Sequence, residues 1–284
     1  MTSYAYRKFK DRLFFVLSLG CVIIAVVPLL SILIEVILNG APELSIKFLT
    51  QTAGVIGSPD AGGIGPAIQG TLILIGLTCL IGIPFGVMSG IFLAEHGNNR
   101  YLRAYAGLMR IFNNALTGVP SIVVGITVFA LVVLTLGHYS PLAGAIALSF
   151  IAIPIVARTT EESLKLVPNS LREASLALGV RNWRTTVSVV LPDARKGLVT
   201  GALLAVARIA GETAPLLMTI LGGQYFFQDF SQPMDALPLR IYRDSFLNYS
   251  NFQAQAWGAA LVLILIVLSL NIGVRVASRG RLGK

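Results

Sequence analysis

Six long apolar segments determine which solvent this chain can fold in. They lie near residues 13–38, 70–94, 117–137, 141–157, 197–221 and 254–274. A bilayer hydrocarbon core about 30 Å thick needs roughly 20 helical residues to cross it, and only helices satisfy their own backbone groups there. The hydrophobic share of 55% and the charged share of 12% agree with that environment. The sequence therefore predicts an all-α membrane protein with six transmembrane helices.

The Lys and Arg residues predict the orientation of these helices, because short cytoplasmic loops retain positive charge. Of the 22 residues, 18 fall in four alternate segments, namely 1–12, 95–116, 158–196 and the tail after 274. The opposite side carries only Lys47, Arg240 and Arg243. Both termini are therefore expected in the cytoplasm, with residues 39–69 forming an extracytoplasmic loop. Residues 70–284 are expected to form the main transmembrane domain, with 158–196 as its largest cytoplasmic loop.

Several function classes are disfavoured by the same sequence. The net charge of +9 is distributed over loops between apolar segments, which is not the basic face of a nucleic-acid-binding domain. Cys21 and Cys79 both lie in apolar segments and are interpreted as packing residues. The glycines of residues 62–70 are not followed by Gly-Lys-Ser or Gly-Lys-Thr, so no ATP-binding loop is predicted. We expect no metal site and no enzymatic nucleophile.

The longest cytoplasmic loop contains a motif with fixed spacing. From Glu173 it reads Glu-Ala-Ser-Leu-Ala-Leu-Gly, and nine residues after Gly179 come Val-Val-Leu-Pro. Good helix formers before Gly179, which can adopt the left-handed conformation, predict a short helix, a turn and a second helix. The spacing resembles the EAA loop of importer-type ABC permeases, with Ser175 in place of Ala and Val189 in place of Ile.

That resemblance implies a coupling element that docks into an ATPase partner. The residues it assigns to coupling are Glu173, Ala174, Ser175, Gly179, Leu191 and Pro192. Arg172, Leu176 and Leu178 complete a compact surface suited to a groove in a partner. The alternative is an amphipathic helix that lies on the bilayer.

Arg208 is expected near the middle of the fifth apolar segment. At about 1.5 Å per residue, it lies roughly 18 Å along a helix that starts near Lys196. An intramembrane arginine needs a partner or a water-filled cavity, and Glu212 stands four residues further on. The forked guanidinium donors suit a tetrahedral oxyanion. We therefore predict an anion path at Arg208; an Arg–Glu pair that only fixes helix packing is the alternative.

The residues around Arg208 carry a second resemblance. The run Ala-Arg-Ile-Ala-Gly-Glu-Thr-Ala-Pro-Leu-Leu over residues 207–217 resembles the signature of the PstA family of phosphate importer permeases. Residues 157–162 and the outer pair Leu237-Pro238 extend this similarity, which covers most of the chain from about Gly62 onward. It implies a MetI-like importer permease fold. The implied substrate path contains Arg158, Arg208, Glu212 and Thr213.

Three of these positions have more than one interpretation. Glu212 either neutralises Arg208 or accepts the O–H of hydrogen phosphate, which sulfate lacks. Pro215 cannot donate to the carbonyl of Gly211, so these two residues are expected to form a hinge or a tolerated packing kink. Arg158 is expected at the cytoplasmic end of the fourth helix, where it receives the anion or anchors the helix end.

The resemblance implies a permease subunit of an ATP-driven importer of inorganic phosphate in the prokaryotic plasma membrane. The implied partners are a PstC-type second permease, two PstB-type ATPases and an extracytoplasmic PstS-type phosphate-binding protein. ATP and Mg would be used by the ATPases, and this chain is expected to be non-catalytic and to bind no cofactor. A permease for sulfate or molybdate is the alternative function, and a homodimer is not excluded by the sequence.

Overall fold

A computed structural model describes residues 4–97 and 100–279. Within these ranges the regular structure is helical, apart from two isolated β-bridges that join Ala53 to Gly62 and Leu221 to Met234. The all-α prediction is therefore confirmed. The described residues do not include residues 1–3 of the predicted amino-terminal segment. They also do not include the tail residues 280–284, which contain Arg281 and Lys284.

The first helices form a long rod followed by a short helical segment. Helix α1 spans Tyr4–Gly40, a 3₁₀ turn follows at Ala41–Glu43, and α2 spans Ile46–Thr50. Most side chains of α1 are exposed in the isolated chain, as expected for a helix surrounded by lipid. At its end, Gly40 allows close packing against the backbone of Trp257. The α1 helix thus leans on the last helix of the chain.

The next helices contain a sharp bend that the sequence pattern did not predict. Helix α3 spans Gly65–His96, α4 Arg103–Gly118 and α5 Ser121–Val128, followed by a π-helical turn at Phe129–Val133 and α6 at Leu134–Leu136. The α4 axis meets the α5–α6 axis at 105°. Pro120 disfavours helical geometry at the preceding Val119, which is extended at φ −73° and ψ 130°. The predicted third span, 117–137, therefore contains a corner near its start, and its helix begins only at Ser121.

Helices α7 to α10 come next. They are α7 at Pro141–Lys165, α8 at Asn169–Ala177, α9 at Asn182–Thr185, a π-helical turn at Thr186–Val190, and α10 at Leu191–Ala210. The Ser140 hydroxyl caps α7 by accepting the N–H of Ala143 at 3.1 Å. The α7 helix continues eight residues past the predicted end at 157, because ion pairs four residues apart extend it, Arg158–Glu162 and Glu161–Lys165.

The predicted fifth span, 197–221, is two helices with a break between them. Helix α10 ends at Ala210 and α11 occupies Ala214–Thr219. Helix α12 spans Leu237–Ser245 and is largely buried, and α13 spans Ser250–Arg279. The break follows from Pro215, which lacks an N–H and stands in the first turn of α11.

The tightest helix pair in the fold is α3 with α7. Three glycines of α3 at four-residue spacing face three small or β-branched residues of α7 at the same spacing: Gly82, Gly86 and Gly90 against Ala152, Val156 and Thr160. A methyl group on Gly86 would lie only 2.6 Å from the Cβ of Val156, and one on Gly90 2.5 Å from the Cβ of Thr160. Such spacing of small residues lets membrane helices approach closely. We call this contact the glycine seam.

Length and apolar composition identify the helices able to cross a bilayer. Within the described residues, α1, α3, α7 and α13 meet both criteria, and the bent pair of α4 with α5–α6 would be a fifth span. The pair of α10 and α11 is broken and contains charged residues in its first half. The six-span count and the cytoplasmic placement of both termini therefore stay predictions.

Candidate anion site and coupling segment

The candidate site lies at the break between α10 and α11. Arg208 occupies the last turn of α10, and Glu212 follows within the break. The backbone N–H groups of Gly211 and Glu212 donate to the carbonyls of Arg208 and Ile209, each at 3.2 Å. Since Pro215 lies in the first turn of α11, the backbone changes direction over residues 211–213 and not at a kink within one helix.

Arg208 and Glu212 form an ion pair that leaves the guanidinium accessible. Its Nη2 lies 3.4 Å from Oε1 of Glu212, beyond the 2.7–2.9 Å typical of a strong charge-assisted hydrogen bond. The Arg208 side chain is 58% exposed, whereas that of Glu212 is only 14% exposed. The positive group is thus presented outward while its carboxylate partner is mostly covered.

A cavity of about 210 Å³ lies beside Arg208. The side chains that line it come from α4, α5, α7, α10 and the α4–α5 connection: Leu116, Thr117, Val119, Ser121, Ile151, Ile155 and Arg208. Their polar groups are one guanidinium and two hydroxyls. The Thr117 hydroxyl already donates to the carbonyl of Asn114 at 2.7 Å, which leaves the guanidinium and the Ser121 hydroxyl to donate to the cavity. The cavity is large enough for several water molecules and suits a small hydrated anion.

Two lining residues, Thr117 and Ser121, were not predicted from the sequence. Both flank the corner at Val119-Pro120, where the backbone leaves one helix and enters the next at 105°. The sequence did contain a signal for them, because X-Pro between two helical patterns marks a helix end and the flanking hydroxyls mark a polar position.

Arg158 lies on the cavity side of α7 but not in the cavity lining. It follows Ile151 by seven residues and Ile155 by three, which places all three residues on one helix face. Its side chain is 71% exposed, and its Nε donates to Oε1 of Glu162 at 3.0 Å. Arg158 does not close the helix as the sequence suggested, since α7 continues to Lys165.

Thr213, the fourth predicted path residue, contacts α12. Its hydroxyl donates to the carbonyl of Pro238 at 3.5 Å, which connects the α10–α11 break to α12. The structure therefore brings Arg208 and Glu212 together, places Arg158 about one turn beyond the cavity, and gives Thr213 a contact with α12.

The predicted coupling residues form a helix–turn–helix. Helix α8 ends at a turn in which Gly179 has φ +80°, the left-handed conformation that glycine adopts without strain. The hydroxyls of Ser175 and Thr185 lie 2.9 Å apart in the interior of this unit. Leu191 packs on the buried cluster of Leu164, Val167, Val190 and Ala194, and Pro192 lies in the first turn of α10. Ser175 and Leu191 thus hold the unit together from within.

One face of this helix–turn–helix is open. Its exposed residues are Glu173, Ala174, Leu176, Leu178 and Trp183, of which Leu178 is 84% exposed. Arg172 does not belong to that face, because its side chain turns inward to Glu95 of α3. Large apolar side chains that are this exposed are typical of contact surfaces.

The sequence of the whole chain matches known transport proteins. The family model for a binding-protein-dependent transport system inner membrane component matches residues 82–281. The phosphate transport system permease protein PstA of Yersinia pestis is 41% identical over 278 residues, which cover 96% of this chain and 91% of that protein. The chain belongs to the PstA family. A probable archaeal PstA, from Methanocaldococcus jannaschii, is 37% identical over 95% of this chain and 94% of its own length.

Solved structures support the fold predicted for a PstA-family chain. The MetNI methionine ABC transporter in an inward-facing conformation matches with a TM-score of 0.60 and 20% identity, covering 77% of this chain and 94% of that one. A bacterial alginate ABC transporter, solved with a pentasaccharide-bound periplasmic protein, matches with a TM-score of 0.68 and 15% identity over 99% of this chain and 98% of that one. The MetI-like importer permease fold is therefore confirmed, and the chain is a multi-pass membrane protein.

Proposed function

We propose that this chain is the transmembrane permease subunit of an ATP-driven importer of inorganic phosphate. The observation that carries the proposal is Arg208, whose guanidinium is largely exposed beside a 210 Å³ cavity at a helix break. An arginine placed among apolar helices is costly unless it serves a polar path. The 41% identity to the phosphate transport system permease protein PstA of Yersinia pestis supports phosphate as the anion.

The anion meets the side chains along its path one after another. Arg208 binds the anion through its forked donors, and the Ser121 hydroxyl in the same lining donates a hydrogen bond. Glu212 keeps the net charge of the site low, which lets the anion leave again. Arg158 lies about one turn further along α7 and receives the anion next. Gly211 and Pro215 bound the backbone break and act as its hinge.

The energy for transport comes from partner subunits. The open face of α8, with Glu173, Ala174 and Leu178, docks into an ATPase that uses ATP and Mg, so this chain is itself non-catalytic and binds no cofactor. A second permease, a second ATPase and an extracytoplasmic phosphate-binding protein complete the importer. In this arrangement both termini and residues 158–196 face the cytoplasm, in agreement with their excess of Lys and Arg.

Phosphate uptake by the reconstituted complex tests the proposal. The complete set of subunits is placed in proteoliposomes and ATP-dependent uptake of labelled phosphate is compared between wild type and Arg208→Gln. Loss of one hydrogen-bonded charge contact costs about 1.5–3 kcal/mol, so uptake at low phosphate should fall roughly tenfold or more. Arg208→Lys keeps the charge without the fork and should give an intermediate rate.

Arg12→Gln is the matched control, because it removes the same charge from an exposed position of α1 far along the chain from the cavity. Its uptake should equal that of wild type. Normal uptake by Arg208→Gln in a correctly assembled complex would indicate that Arg208 serves only helix packing, and it would refute the proposed path.

A further inference from the structure

A shielded ion pair connects the coupling segment to the inner end of α3. Nη1 of Arg172 lies 2.5 Å from Oε1 of Glu95, and the two side chains are only 21% and 19% exposed. Nη2 of the same guanidinium donates to the carbonyl of Leu164 at 2.9 Å. One arginine thus joins three helices, since it lies on α8, its carboxylate partner on α3 and its carbonyl partner on α7.

This contact distinguishes Arg172 from its neighbours on α8. Glu173 and Leu176 are exposed on the open face, whereas Arg172 points into the protein. A planar guanidinium with two directed bonds fixes orientation better than a flexible ammonium does. Arg172 therefore sets the position of α8 against the transmembrane helices rather than contacting a partner.

The outer end of α3 is held by the extracytoplasmic segment. Oε1 of Gln69 accepts the N–H of Phe227 at 2.9 Å, and the Thr71 hydroxyl accepts the N–H of Leu237 at 2.8 Å. Gly70 lies against the carbonyl of Asp235 so closely that any side chain there would overlap it. The 32 residues of α3, about 48 Å at 1.5 Å each, connect this outer segment to Glu95 at the inner end.

The middle of α3 is fixed by the glycine seam with α7. Because the side chains of α7 enter the spaces left by Gly86 and Gly90, sliding by one residue would bring Cβ atoms into overlap. The two helices therefore move as one body. The Arg172 contacts add α8 to that body at its cytoplasmic end, through both Glu95 and Leu164.

We infer that Arg172 is a positioning residue whose ion pair with Glu95 transmits displacement of α8 along α3 to the outer segment formed by residues 222–245. The inference rests on the proposed function, in which α8 contacts an ATPase and the outer face contacts a binding protein. Rigid elements joined at both ends are a physical route for such coupling. Its measurable consequence is communication between the two faces of the membrane.

The test uses the full complex in proteoliposomes and measures how strongly the phosphate-loaded binding protein stimulates ATP hydrolysis. Glu95→Arg and Arg172→Glu each place like charges together and should lower the stimulation about tenfold, within the usual range of coupling between sites. The double variant restores opposite charges and should recover most of it. Subunit co-purification and basal hydrolysis should stay at wild-type levels.

Arg12→Glu supplies the matched control, because it reverses one exposed charge on α1, outside the α3–α7 body and away from the surfaces proposed to contact a partner. It should leave stimulation unchanged. Where a charge reversal prevents assembly, Glu95→Gln and Arg172→Gln replace it and should give a smaller loss of the same kind.

The outcomes are distinct. Single variants that keep wild-type stimulation, or a double variant no better than the singles, would overturn the inference. Stimulation by the binding protein without any phosphate uptake in the wild type would refute the proposed substrate instead, while the charge-swap comparison would still decide the role of Arg172.

Discussion

Gly86→Ala is expected to separate the two most closely packed helices. The new methyl carbon would lie 2.6 Å from Cβ of Val156 and 3.0 Å from the carbonyl oxygen of Ile153. Carbon atoms prefer about 3.5–4.0 Å, so α3 and α7 must move apart by about 1 Å. Neither contacted atom can rotate away, because one is a Cβ and the other belongs to the backbone. Overpacking of this kind costs about 1–3 kcal/mol.

A matched substitution in the same helix isolates the steric cost. Gly76 is exposed, and a methyl group there has no neighbouring atom within 4 Å. Alanine improves helix propensity at both positions by about 0.5–1 kcal/mol. The difference between Gly86→Ala and Gly76→Ala should therefore equal the overpacking cost alone.

Unfolding of the purified chain in mixed micelles by rising SDS fraction, followed by circular dichroism, measures that difference. Gly86→Ala should unfold at a lower SDS fraction than wild type, and Gly76→Ala at an equal or higher one. If the two variants agree within about 0.5 kcal/mol, the helices are not in close contact at Gly86 and the glycine seam does not lock them.

Two further predictions concern acidic residues. Glu212→Gln removes the carboxylate that would repel sulfate and accept the O–H of hydrogen phosphate, so sulfate should compete better with phosphate uptake; unchanged discrimination would refute this acceptor role. Burial raises the pKa of Asp235 above its usual 3.8, although Arg243 and Arg240 oppose that shift and Asp244 adds to it. The folded chain then holds this proton more tightly than the unfolded chain, so stability falls as pH rises from 3.8 through the folded pKa. Asp235→Asn should weaken the fall of the thermal midpoint as pH rises above 3.8, and equal slopes in both proteins would contradict the assignment.

The sequence predicted the features that depend on local chemistry. Apolar length identified α1, α3, α7 and α13 as helices able to cross a bilayer, and the spacing from Glu173 to Pro192 identified a helix, a turn and a second helix. Arg208 and Glu212 were expected to pair because they are four residues apart, and the structure places them 3.4 Å from each other. The resemblance to PstA permeases is confirmed by the comparisons.

Features that depend on contacts between distant segments were not predictable. Residues 95–116 were expected to form a loop because they contain three arginines, yet residues 103–118 form α4 and pack on α7. Arg172 read as a surface residue because its partner Glu95 is 77 positions away. The break after Ala210 was expected as a bend at Pro215, since a proline pattern alone does not distinguish a kink from a new helix start.

The glycine seam also determines when α3 and α7 can pack together during protein synthesis. The two helices that share it are separated in the chain by α4, α5 and α6, so the face of α3 with Gly82, Gly86 and Gly90 has no partner when α3 enters the bilayer. At 5–20 residues per second, the ribosome needs roughly 3–14 s to proceed from His96 to Lys165. During that interval lipid covers the glycines, and closure of the seam must expel it. The α3–α7 pair therefore forms only after Lys165 has been synthesised.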